Sequence, residues 1–163
     1  MYEIVRLTAE SVDSLRELLR VCWLDTYTGL IPDAAIKTAL EVWHSDENIS
    51  RSISNPNSFY AGYMEEGELR GMVAAGMTDE TTLSIRQLYV HPAHQRKGIG
   101  WKLMDVALHH FDKARLAVLE VEEENLKGVT FYRKYGFVYR RKTKAKVGDY
   151  EIPCLVGELK LSN

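Results

Sequence analysis

The sequence is poor in cysteine: Cys22 and Cys154 are its only two, far apart along 163 residues. That excludes a disulfide framework, offers no metal-ligand spacing, and fits a reduced, cytoplasmic protein. Proline is scarce, at four residues, and no Pro-, Gly- or Ser-rich tract marks a linker. One domain over residues 1–163 is therefore expected, long enough for a sizeable core. No apolar run approaches the ~18 residues of a membrane span, and Met1-Tyr2-Glu3-Ile4-Val5-Arg6 is not a signal peptide, so no membrane partner is expected. Neither sign of charge dominates: 21 basic residues stand against 23 acidic ones, a net charge of −2. Nucleic acid is thus not an expected partner, and any basic patch must be local. The five histidines (His44, His91, His94, His109 and His110) show no ligand spacing, so no metal is expected. Two common phosphate motifs are missing as well. No Gly-x-x-x-x-Gly-Lys-Ser/Thr occurs, and Leu103 stands where Gly-x-Gly-x-x-Gly would need its third glycine.

What is present concentrates between Leu88 and Met104. An apolar strand ends at Val90, a polar basic loop follows, and two glycines open a helix. Its apolar residues Ile99, Leu103, Val106, Ala107 and Phe111 recur at helical spacing. No Ser, Thr, Asp or Asn precedes this helix, so its first N–H groups lack an obvious side-chain cap. Gly98 and Gly100 remove side chains that would hold a ligand away from those groups, while Arg96, Lys97 and Lys102 add positive charge. This is a cradle for a phosphate or pyrophosphate, or a tight basic surface turn.

In chain order, Tyr2 to Leu7 reads as a strand and Thr8 as the cap of a helix. Val12, Leu15, Leu18, Leu19, Cys22 and Trp23 form that helix's apolar stripe. Helices are expected from Asp33 to Trp43 and from Asp46 to Ile53. Ser58–Met64 and Glu68–Met77 read as a hairpin turning at Glu65-Glu66-Gly67. Thr81 to Val90 is a further strand. Leu83 and Ile85 share one parity, Leu88 and Val90 the other. Either an extra residue forms a β-bulge near Arg86-Gln87, or the strand is buried on both faces. A strand follows from Ala114 to Val121, then a helix capped by Asn125 and ended by Gly136. Strands over Phe137–Lys144 and Tyr150–Lys160, joined by Val147-Gly148-Asp149, complete the chain.

Gln95-Arg96-Lys97-Gly98-Ile99-Gly100, preceded by Leu88-Tyr89-Val90-His91-Pro92, resembles the cofactor motif of the GCN5-related N-acetyltransferases (GNAT). Asn125-Leu126-Lys127-Gly128-Val129-Thr130-Phe131-Tyr132-Arg133-Lys134-Tyr135-Gly136-Phe137 resembles the family's second signature, with Gly128 in place of the usual Ala. The resemblance implies an α/β (α+β) GNAT fold: a central mixed, mostly antiparallel sheet of six or seven strands, helices on both faces, and the fourth and fifth strands parallel and splayed. It favours the bulge, whose freed groups would pair with pantetheine. It implies acetyl-CoA as co-substrate, bound by Leu88, Tyr89, Val90, Gln95, Arg96, Lys97, Gly98, Ile99, Gly100, Trp101, Asn125, Phe131 and Tyr132. It also implies Tyr132 as general acid at the sulfur and the Val90 N–H as oxyanion donor.

The family's common glutamate on the bulged strand is replaced by Ser84. Glu120 and Glu122, on one face of the next strand, are alternative proton acceptors or anchors for a cationic acceptor, or part of a solvated acidic run. Trp23, Tyr27 and Ile31, with Phe59 or Tyr60 nearby, are candidates for the acceptor pocket; Trp23 also suits a core position. The Trp-x-x-x-Tyr-x-Gly-x-Ile-Pro run is similar to polyamine acetyltransferases of the PaiA type. The expected function is direct acetyl transfer to a primary amine, a small amine or polyamine. The alternatives are acetylation of a protein N-terminus or lysine, and a coenzyme A-binding module without chemistry. A homodimer is compatible with the sequence, which does not set the oligomeric state.

Overall fold

The structure, a computed structural model, describes residues 1–162; Asn163, the end of the expected domain, lies outside the described residues. Strands β1 (Tyr2–Arg6), β2 (Phe59–Glu65), β3 (Glu68–Met77), β4 (Thr82–Val90), β5 (Leu116–Glu122), β6 (Val138–Val147) and β7 (Tyr150–Lys160) form one sheet in the order β1-β2-β3-β4-β5-β7-β6. Only β4 and β5 pair in parallel; the other neighbours are antiparallel. This is the expected mixed, mostly antiparallel sheet, with seven strands.

Strand alternation decides which helix covers which face. On β3, Val73 and Ala75 point to one face and Met72 and Ala74 to the other, and all four are buried. Val73 and Ala75 pack with α4 (Ile99–His110) and α5 (Leu126–Tyr135) through Ile99, Leu103, Ala107 and Val129. Met72 and Ala74 pack with α1 (Val12–Tyr27) and α3 (Asp46–Ser54) through Leu15, Leu19, Ile49 and Ile53. A third cluster joins Trp23 and Tyr27 to Ile36 of α2 (Asp33–Thr38) and to Val147 and Ile152 at the β6–β7 hairpin.

The parity conflict in β4 is resolved by a bulge. Ala74 pairs with Gln87 and Ala75 with Ile85, so Arg86 is the extra residue. Leu83, Ile85, Leu88 and Val90 consequently all reach the same apolar cluster, while Tyr89 packs against the clusters on the opposite face. The β4–β5 pairing runs only through Thr82–Leu116, Leu83–Ala117 and Ser84–Val118. Both strands continue beyond it, so a gap opens between them.

Several boundaries differ from the sequence-based expectation. Thr8 opens a 3-10 turn, Ala9–Ser11, before α1, and its N–H donates to Ser11 Oγ at 3.1 Å. The expected helix Asp33–Trp43 divides into α2 and a π-helical turn, Ala39–Trp43, closed by the His44 N–H on the Ala39 carbonyl at 3.1 Å. The extra residue of that turn brings His44 and Trp43 edge-on to Trp23, at centroid distances of 5.2 and 6.1 Å. Ala114 stands in a turn, its N–H on the Phe111 carbonyl at 3.0 Å, so β5 starts later than expected. The last hairpin is longer than expected: β6 reaches Val147 and only Gly148-Asp149 turn, with Gly148 at φ +59°.

Candidate active site

The loop after β4 carries two left-handed residues, Arg96 at φ +63° and Gly98 at φ +79°. Gly98 is the N-cap of α4, and no side chain caps the helix. The first i→i−4 bond runs from the Lys102 N–H to the Gly98 carbonyl at 3.2 Å. The amides of Ile99, Gly100 and Trp101 precede it and have no intrahelical acceptor. A Cβ on Gly98 would meet nothing nearer than Lys102 Nζ at 3.9 Å. The glycine therefore leaves open space at the positive end of the helix dipole, beside the exposed Arg96 and Lys97.

Gly100 serves a second purpose. A Cβ there would lie 3.0 Å from the Phe131 ring, so the glycine lets α5 approach α4 closely. Trp101, 45% exposed, leans on Tyr135 at 4.5 Å, and the Tyr135 hydroxyl donates to Asp105. The start of α4 is thus bound by aromatic contacts to the middle and C-terminal end of α5. Gly128 is used similarly: a Cβ would lie 2.8 Å from Asn125 Nδ2, and Asn125 Oδ1 accepts the Gly128 N–H at 3.1 Å. The small residue makes room for the α5 cap. Gln95 also bonds within the chain, its Nε2 donating to the Val90 carbonyl at 3.2 Å.

The Val90 carbonyl also receives the Cys22 thiol at 3.5 Å. The next residue, His91, sends its N–H to Arg70 on the β3 side at 2.8 Å. Backbone groups alternate along a strand, so the Val90 N–H faces the other side, into the gap. Leu88 shares that orientation.

At the open end of the gap three phenols and a carboxylate converge. Tyr27 from α1 donates to Glu122 Oε1 of β5 at 3.0 Å. The Tyr89 hydroxyl neighbours Tyr27 and the indole of Trp23, and the Tyr132 phenol lies within electrostatic reach of Tyr89 and Glu122. Burial, reinforced in each case by the Glu122 charge and at Tyr89 partly offset by Tyr27 and Trp23, pushes the phenols of Tyr27, Tyr89 and Tyr132 above their ordinary range, so all three stay protonated. The Trp23 indole N–H is buried and has no hydrogen-bond acceptor among the described residues. Tyr27 and Ile31 are buried in the same cluster as Trp23.

Glu120 is exposed on the same strand face and has no hydrogen bond among the described residues. Phe59 and Tyr60 do not approach the site. Phe59 pairs with Ala75, at the level of Ile85 rather than Val90, and stacks on His110 at the far end of α4. Tyr60 packs under α1 and α3. This differs from the expectation because strand direction, which decides which end of β2 meets the gap, is set by sheet order. Sequence reasoning also missed the hydroxyl of Tyr89. The bulge itself is the signal: shifting parity at Arg86 puts Tyr89 opposite Leu88 and Val90, against α1.

Residues 12–137 match the Acetyltransferase (GNAT) family. A spermidine N(1)-acetyltransferase of Thermoplasma acidophilum is 29% identical over 141 residues, covering 83% of this chain and 87% of that protein. The N-alpha-acetyltransferase RimI of Mycobacterium tuberculosis is 30% identical over 91 residues, covering 54% of this chain and 57% of that one. A solved structure of the PaiA N-acetyltransferase of T. acidophilum in complex with coenzyme A has the same fold. Its TM-score is 0.86, with 24% identity and 99% of each chain covered. The chain belongs to the Acetyltransferase (GNAT) family. It is an acyl-CoA-dependent N-acetyltransferase.

Proposed function

We propose that the protein acetylates a small primary amine, of which a polyamine is the best candidate, by direct attack on acetyl-CoA. The observation that carries this reading is the open end of the β4–β5 gap, where the Glu122 carboxylate, held by Tyr27, stands near the Tyr132 phenol. A site for a cationic acceptor needs a carboxylate among aromatic surfaces. The spermidine acetyltransferase relative supports the same acceptor class.

The uncapped amides of Ile99, Gly100 and Trp101, with Arg96 and Lys97, are suited to the diphosphate. The freed backbone groups of Leu88 are suited to the pantetheine amides, since the Val90 carbonyl is taken by Gln95 and Cys22. The neutral amine attacks the thioester carbonyl; its C–N bond forms as the C–S bond breaks. The Val90 N–H donates to the carbonyl oxygen as charge develops. The Tyr132 hydroxyl, kept protonated, donates to the departing sulfur. The proton lost by the amine goes to a carboxylate. Glu120 is the more available acceptor through water, since it makes no hydrogen bond among the described residues, whereas Glu122 is tied to Tyr27 and suits the anchoring of a distant ammonium. An acetyl-enzyme step has poor candidates. Both cysteines are buried, which pushes the Cys22 thiol up to about 12 and the Cys154 thiol to about 11.

The test is release of coenzyme A thiol with putrescine, spermidine and spermine, set against a peptide N-terminus and a lysine peptide. The reading expects kcat/KM at least about tenfold higher for an amine of the first group. Preference for the peptides would overturn the acceptor, and coenzyme A binding without turnover on any amine would overturn the chemistry.

A further inference from the structure

The end of the sheet opposite the acetyl-transfer site has its own cleft, of about 510 Å³, lined by Arg6, Asn57, Ser58, Arg86, His110 and Phe111 among others. The two arginines come from different strands and meet on one residue. Arg6 donates Nη2 to the Ser58 carbonyl at 3.0 Å, and Arg86 donates Nη1 to Ser58 Oγ at 2.9 Å. Ser58 is 4% exposed, so the anchor is fixed. Neither guanidinium has a carboxylate partner among the described residues. Other exposed arginines do: Arg16 pairs with Asp46, Arg20 with Glu17 and Arg51 with Glu47.

The backbone makes room for this arrangement. A Cβ on Gly76 would lie 2.8 Å from Arg86 Nη2 and from the Asn57 carbonyl. Arg86 is also the residue that the β4 bulge adds. One wall is aromatic, from His110 and Phe111, with Asn55, Pro56 and Met77 completing the lining; behind it His110 stacks on Phe59 at 4.0 Å, and Arg6 lies over the Phe59 ring at 5.0 Å.

We propose that this cleft binds an oxyanion of the phosphate or phosphate-ester class, held between Arg6 and Arg86. Each guanidinium spends one of its five N–H donors on Ser58 and presents the rest in a planar fork, the geometry that suits phosphate oxygens. The opposing charges are smaller. Asp112 lies within electrostatic reach of His110, and the carbonyl end of α4 carries roughly half a negative charge against two full positive ones. The twelve residues of α4 separate this cleft from the glycine cradle by ~18 Å. It is a second site, and it does not depend on which amine is acetylated.

The experiment is calorimetric titration of inorganic phosphate into the full chain saturated with coenzyme A, so that the cradle cannot take the probe. One saturable phosphate per chain is expected. Arg6→Gln and Arg86→Gln should each weaken it about tenfold, the usual cost of a charge-assisted contact. Arg20→Gln, remote from the cleft, should change nothing. Because Arg86 sits in the bulge, Asn57→Asp is the companion variant. It places a carboxylate in the cleft, leaves both arginines intact, and should weaken phosphate by a similar factor. Adenosine monophosphate as a second probe separates the sources: tighter binding than phosphate assigns a phosphate ester with a ring on the His110–Phe111 wall, equal binding assigns free phosphate. No saturable phosphate on the coenzyme-loaded protein, or binding unaffected by Asn57→Asp and by loss of both arginines, would overturn the proposal.

Discussion

The two sides of the β4–β5 gap are built differently. On the α4–α5 side the groups proposed to hold the coenzyme are mainly main-chain amides, with the Tyr132 phenol beside them. The amides are exposed by glycine at Gly98 and by a strand that stops pairing at Ser84. Every part lies between Leu83 and Phe137. On the α1 side the working groups are side chains, and they come from distant segments. Tyr27 reaches Glu122 across 95 positions of sequence, and Tyr89 and Trp23 complete the group. Main-chain recognition of a constant donor needs little side-chain identity beyond glycine. Recognition of the acceptor depends on side chains that the fold must bring together.

The sharpest break in that contrast is Gly98→Asp. A side chain at φ +79° is strained, and its charge would oppose the diphosphate. Coenzyme A affinity should fall at least ~100-fold by calorimetry, an effect on the order of 3 kcal/mol. Unchanged affinity would remove the amides from recognition. The opposite side has a stability signature of about the same size. Burial lowers the His44 imidazole from 6.5 to about 4, so the unfolded chain binds the extra proton. The sign follows: stability is complete above pH 6.5 and is lost as pH falls towards 4, by on the order of 3 kcal/mol. Urea unfolding of the wild-type chain should show this slope and His44→Phe should flatten it.

Tyr132→Phe should lower kcat about 30-fold and leave KM for acetyl-CoA within roughly twofold, since the role proposed for the hydroxyl is at the sulfur only as it leaves. Its raised pKa predicts in addition that wild-type turnover does not decline up to about pH 10. The smallest effect is Tyr27→Phe. Freeing Glu122 should raise KM for the amine about tenfold, typical of a lost hydrogen bond to a charged group, with the acetyl-CoA KM unmoved. Parallel Glu120→Gln and Glu122→Gln variants sharpen this result: a kcat loss in the first and a KM increase in the second would separate proton acceptor from anchor.

How much of this was legible varies along the chain. The bulge was readable because Leu83, Ile85, Leu88 and Val90 cannot share a face at period two without an extra residue, which is Arg86. The uncapped helix start was readable because capping is local and its side chains are absent. The π-helical turn at Ala39–Trp43 was not, since it follows from Trp43 and His44 packing on Trp23, a tertiary contact. Phe59 was assigned to the wrong end of the sheet because apolar alternation is blind to strand order.

Local residue patterns set the elements whose causes are short-ranged. These are the two signature blocks, the glycine-opened helix, the seven strands within a few residues, and the parity break that forces β4 to bulge. Long-range packing sets which phenol meets Glu122, which carboxylate stays free, and that Arg6 and Arg86 share Ser58. Those outcomes depend on sheet order and strand direction, which place groups dozens of residues apart within hydrogen-bond distance, and no local periodicity records them.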